Sequence, residues 1–146
     1  MTRLFLELFL RTLGFSRSLG LKRSVEIFSR ERNNSFLLLL WTLLEFLEHG
    51  LKFVFPQKPG ALVAGIATSH SAAPLKKFVS SNDNYVWPYA EGNLRGQSIE
   101  PLYSGAPKAC LKDEKLYELL ALTDALRVGR VREKTFAIRE IKKRIK

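Results

Sequence analysis

The stretch from Asp113 to Glu133, DEKLYELLALTDALRVGRVRE, decides how the chain is read. Leu116, Leu119, Leu120, Thr123 and Leu126 recur at intervals of three and four, the spacing of one face of an α-helix. Asp113 stands just ahead as an N-cap, where a carboxylate accepts from backbone N–H groups that have no partner within the helix. Gly129 ends this helix. A second helix follows from Val131 to Lys146, with Phe136, Ile138, Ile141 and Ile145 apolar and Arg139, Lys142, Lys143 and Lys146 on other faces. Helices joined by so short a turn lie against each other as a hairpin. Arg127, Arg130 and Arg132 bracket the turn. Their guanidinium groups suit phosphate oxygens, which position a duplex without reading its sequence. The same residues can instead pair with Glu118, Asp124 or Glu133 and lock the hairpin.

Charge accumulates at this end of the chain. The formal charge is +10 over 146 residues. Residues 127–146 hold nine Lys/Arg against two acids, whereas residues 33–126 hold eight against nine. A surplus of this size favours an acidic partner: nucleic acid, an anionic membrane surface or an acidic protein. With 46% hydrophobic and 26% charged residues, the composition is that of a globular domain, not of a disordered chain. The single cysteine, Cys110, excludes an internal disulfide and a cysteine-based zinc site and suits a reducing cytosol. His49 and His70 match no metal-ligand spacing, so no cofactor is expected.

Upstream, the expectation is again helical. Leu4, Leu8 and Arg11, with Phe5, Phe9 and Leu13, trace an amphipathic helix that Gly14 and Gly20 break, and Leu21 to Ser29 allows a second short one. Glu7 interrupts the apolar stretch at the start, which argues against a targeting peptide. After Asn33-Asn34-Ser35, a longer helix runs from Phe36 to about Phe53. It is apolar nearly all round at its start and is therefore expected at the buried centre of the fold. Its strongest apolar run is too short to span a bilayer. All six prolines, Pro56 to Pro107, then fall in one region together with five glycines, which favours loops. Tyr85-Val86-Trp87 and Gln97-Ser98-Ile99 are its candidate strands, a small hairpin turning at Glu91-Gly92-Asn93 or loops over the helices. The fold class expected is mainly α. One domain, residues 1–146, comprises a helical part (1–55), a loop-rich middle with little strand (56–112) and a basic helical hairpin (113–146).

Enzyme motifs are missing from the sequence. Neither GxGxxG nor GxxxxGK[ST] occurs, so no glycine loop cradles a phosphate at a helix N-terminus. Thr68-Ser69-His70-Ser71 sets hydroxyls beside a histidine, but sequence neighbours seldom make a nucleophile and its base, and turn chemistry is the expectation. Tyr85, Trp87, Tyr89 and Tyr103 lie close to Arg95, an interleaving that can stack bases of a single strand. The commoner role of aromatics in such a segment is to anchor it to the core.

Four strings in order carry a family resemblance: LEFLEHGLKFVFP (44–56), GIATSHSAAPL (65–75), VWP (86–88) with RGQSIEPLY (95–103), and LYELLALTDALRVGRVRE (116–133). Together they resemble a family of small bacterial proteins described as uncharacterised or as helix-turn-helix transcriptional regulators, over roughly residues 43–146. The resemblance implies DNA binding. In such proteins the region ahead of the LEFLEHG helix would hold the helix-turn-helix, whose second helix enters the major groove. Here LGLKRSVEIFSR (19–30) resembles that element loosely, and Lys22, Arg23, Ser24 and Arg30 are its candidate DNA contacts. Arg127, Arg130, Arg132, Arg139, Lys142 and Lys143 complete the candidate set as phosphate contacts. The expectation is a non-catalytic, cytoplasmic, double-stranded-DNA-binding protein with no integral membrane segment, whose apolar N-terminal helices offer a homodimer interface. Two other readings stand beside it. One is a protein-interaction module whose basic helix keeps it soluble, and the other is peripheral membrane association through the N-terminal amphipathic helix.

Overall fold

A computed structural model describes residues 34–145. The chain opens on helix α1 (Asn34–Glu45), continues through a π-helical segment (Phe46–Gly50) and ends its first run in a short α2 (Leu51–Val54). Three strands follow: β1 (Leu62–Ala67), β2 (Tyr85–Pro88) and β3 (Leu94–Ser98). Between β1 and β2 lie two single 3-10 turns, Ser69–Ser71 and Leu75–Lys77. The chain closes with α3 (Ala106–Cys110), α4 (Glu114–Val128) and α5 (Val131–Ile145). The architecture is an α/β mix, which corrects the mainly-α expectation: the proline-rich middle builds a mixed sheet.

That sheet is small and closed. β1 pairs antiparallel with both β2 and β3, and β2 pairs parallel with β3, so each strand is bonded to the other two. Closure disposes of the open edges that a three-stranded sheet would otherwise present. β2 and β3 are therefore not a hairpin. The Tyr89–Asn93 link brings the chain round so that Pro88 and Leu94 both face Gly65 of β1. Curvature this tight leaves no room at that position. A Cβ on Gly65 would run into the Trp87 carbonyl, and one on Gly96 into the Asn84 carbonyl.

α4 is the centre of the fold. Asp113 caps it as the sequence predicts, its carboxylate accepting from the Lys115 and Leu116 N–H groups, both at 3.1 Å. Every residue from Leu119 to Arg127 is buried, including Thr123, Asp124 and Arg127. Around it pack Leu43, Leu47 and Leu51 from the first helical run, Leu75, Trp87 of β2, Ala106 and Cys110 of α3, and Ala137 and Ile141 of α5. The role foreseen for the start of the 36–53 helix thus belongs to α4. Leu37, Leu38 and Trp41 are 57%, 62% and 64% exposed, because α1 turns its other side, Leu40, Leu43 and Leu44, to the core.

The helical hairpin forms as expected. Gly129 ends α4 with an ordinary φ of −67°, so its glycine is a matter of space: a Cβ there would strike the Ala125 carbonyl. Glu133, three residues into α5, reaches back to accept from the Arg130 N–H at 3.0 Å, half of a capping box. Burial pushes the Cys110 thiol up to about 12, making this residue an inert part of the core at neutral pH. Replacing Gly65 by Ala should destabilise the chain by about 1–3 kcal/mol, the usual cost of forcing atoms into a packed site. Urea denaturation followed by far-UV circular dichroism measures it, and an unchanged midpoint would contradict the closed sheet.

Candidate functional site

The polar residues of α4 are held together in the interior. Asp124, 1% exposed, accepts from the Thr68 hydroxyl at 2.9 Å, from the Trp87 indole N–H and from Arg127 Nη1 at 2.7 Å. Arg127 also donates from Nη1 to the Glu100 carbonyl at 3.0 Å and from Nε to the Phe55 carbonyl at 3.2 Å. One ion pair thereby fastens four separate segments to α4: the end of α2, the end of β1, β2 and the chain after β3. Burial holds the Asp124 carboxyl above its usual value, and the Arg127 charge with the hydrogen bonds from Arg127, Trp87 and Thr68 offsets only part of that rise. Nearby, Tyr117 donates to the Ala67 carbonyl at 2.7 Å, and its ring meets Trp87 edge-on.

This arrangement settles where several candidate residues sit. Arg127 is an internal tie whose donors go to Asp124 and two carbonyls, so it is removed from the phosphate-contact set. Of the two roles open to the arginines at the turn, pairing with Asp124 is the one Arg127 performs. Trp87 is buried at 1% exposure and anchors the middle segment. Thr68, Ser69, His70 and Ser71 are all buried, where the Ser69–Ser71 turn packs against α4 and β2. Ser69 has φ +53°, and its hydroxyl has no hydrogen-bond partner among the described residues. His70 Nε2 lies 2.8 Å from the Asp83 carbonyl. A carbonyl only accepts, so Nε2 is the donor, and Nδ1 lies 3.9 Å from Glu133 Oε2.

The outer face of α5 is different in kind. Its two acids are turned inward: Glu133 to its cap and Glu140 to Lys143 and Arg144, at 2.8 and 2.7 Å. Arg130, Arg132, Arg139, Lys142 and Lys143 are exposed. Lys142 reaches Glu48 at 2.7 Å and Lys143 reaches Glu140, whereas Arg130, Arg132 and Arg139 form no ion pair among the described residues. Arg132, Phe136, Arg139 and Lys143 share one stripe, since they are spaced by four, three and four residues. It is about 16 Å long at the helical rise per residue. Both arginines lie over the Phe136 ring, at 5.9 and 4.7 Å from its centre, and the ring stacks at 5.6 Å on Phe78.

The Leu75–Lys77 turn packs against α5, so Lys76, Lys77 and Phe78, all exposed, extend this surface. Beside them opens a cavity of about 430 Å³ lined by His70, Ser71, residues 76–81, Asp83 and Asn84. No periodicity in the sequence links residues 76–84 to α5. Only the two adjacent lysines followed by an aromatic were visible. Lys22, Arg23, Ser24 and Arg30 lie outside the described residues. Among the described residues no group of His, Cys, Asp or Glu is placed to hold a metal ion, and no helix is long and apolar enough to cross a membrane. No protein-family model, characterised protein or solved structure matches this chain.

Two outcomes test this geometry. Removing one member of a buried, hydrogen-bonded ion pair strands the other, so Asp124→Ala should cost about 3–5 kcal/mol. The Asp124→Ala/Arg127→Ala double variant should cost clearly less than the two single variants added together, and strict additivity in urea denaturation would contradict the pairing. Hydrogen bonds from Lys143 and then Arg144 hold the Glu140 carboxyl below its usual value of 4.5, against a smaller upward push from burial. A depressed folded-state value means that its stabilisation is present above about pH 4.5 and is lost as the pH falls through the folded value. The stability gap between the wild type and Glu140→Gln should therefore close on acidification, and a gap independent of pH would contradict the assignment.

Proposed function

We propose that this chain is a non-catalytic nucleic-acid-binding protein of the transcriptional-regulator kind, which grips the phosphates of a DNA duplex with the outer face of α5. The observation that carries this reading is the sorting of charge on α5 and the turn before it, where the helix acids Glu133 and Glu140 are buried while Arg130 of the turn and Arg132, Arg139, Lys142 and Lys143 of the helix are exposed. A field of one sign on an exposed face attracts a polyanion and releases its counterions on contact. The guanidinium groups of Arg132 and Arg139 rest on Phe136, which limits their freedom before any partner arrives. Planar donors of this type match phosphate oxygens in pairs. Contacts of this kind give position and affinity with little choice of sequence.

With three cations free of internal carboxylates, log K against log salt should fall with a slope of about −3. Arg132→Gln/Arg139→Gln should weaken binding and flatten that slope by about 2. Fluorescence anisotropy of labelled duplex over a salt series measures both quantities. No binding at low salt, or a slope that the double variant leaves unchanged, would overturn the proposal.

A further inference from the structure

The pocket next to the α5 stripe, about 430 Å³ in volume and open to solvent on one side, has room to seat a small organic molecule. It is a built feature, not a gap between loose loops. His70, 5% exposed, donates from Nε2 to the Asp83 carbonyl at 2.8 Å, and the Ser71 hydroxyl accepts from the Tyr85 N–H at 2.9 Å. These bonds fix both ends of the segment that forms its wall. Phe78 lies nearly parallel to Phe136, at 11° between planes, yet stays 46% exposed, so the ring is held flat while much of it remains uncovered. Lys76 and Lys77 supply two exposed ammonium groups, and Asn84 an amide with both donors and an acceptor.

Besides the Asp83 carboxylate, the space is lined by an aromatic ring, two cations and an amide, which match one nucleotide: a surface for the base, charge for the phosphate and hydrogen bonds for the base edge. A base inside a duplex is stacked and paired and cannot offer its face, whereas an unpaired base can. We infer that the cavity receives an unpaired nucleotide of the DNA that the α5 stripe holds, with its base against Phe78 and its phosphate on Lys76 and Lys77. This inference rests on the reading of the stripe as a nucleic-acid contact. The preferred substrate is then a duplex with a single-stranded extension.

The test is fluorescence anisotropy on the full chain, comparing a blunt duplex with the same duplex carrying a short single-stranded extension. The extended form should bind about tenfold more tightly, within the range that stacking one base on an aromatic side chain supplies. Phe78→Leu, and separately Lys76→Gln/Lys77→Gln, should bring that ratio close to one. Because the ratio compares two ligands on one protein, any general effect of lost charge cancels. Equal binding of both duplexes by the wild type, or a ratio that survives the substitutions, would overturn the cavity assignment and leave the stripe standing. Failure to bind either duplex at low salt would overturn both.

Discussion

The structure depends on a carboxylate placed where water does not reach. Asp124 sits in the middle of the most buried helix, and a charge there is tolerable only if it is paired and its lone pairs are occupied. Arg127, one turn further along the same helix, supplies the countercharge at 2.7 Å. Thr68 and Trp87 both donate to the other Asp124 oxygen, and Arg127 donates as well to the Phe55 and Glu100 carbonyls. Each of these partners belongs to a different segment. The closed sheet, the end of the first helical run and the chain after β3 are therefore oriented by one electrostatic requirement on α4.

The same pairing takes one arginine off the surface of the hairpin. An arginine at the turn that is drawn inward to Asp124 is unavailable outside, while its neighbours Arg130 and Arg132 remain in solvent. On α5 the acids go in and the bases stay out: Glu133 closes the helix start, and Glu140 meets Lys143 and Arg144. Arg144 bonds Glu118 of α4 as well, tying the far end of the hairpin. Partly exposed ion pairs of this sort add little to stability. Their consequence is geometric, since they hold α5 so that one basic stripe with an aromatic centre is presented outward.

How much of this the sequence disclosed depends on how local the signal was. The hairpin was legible because helical period, cap and terminator all lie within the residues concerned, as Asp113 and Gly129 demonstrate. β1 was not legible. Leu62–Ala67 contains Gly65 and two alanines and reads as weak strand, and it forms a strand because β2 and β3 close on it from both sides. The parallel pairing of β2 with β3 was equally hidden, for the five residues between them suggest a simple turn. Arg127 looked like its neighbours, and nothing local reveals that Asp124 three residues earlier is buried. The cavity depended on the approach of residues 76–78 to α5, which is a tertiary fact alone.

The central claim is that this chain divides its arginines between an internal tie and an external grip. A nuclear magnetic resonance titration of the isotope-labelled protein with DNA, followed amide by amide and at arginine side chains, tests it most directly. The account predicts that the largest shifts occur at Arg132, Phe136, Arg139 and Lys143 and around residues 76–78, while the Arg127 Nε–H signal stays where it was. Shifts centred on Arg127 and the interior of α4, with the α5 stripe unmoved, would contradict it.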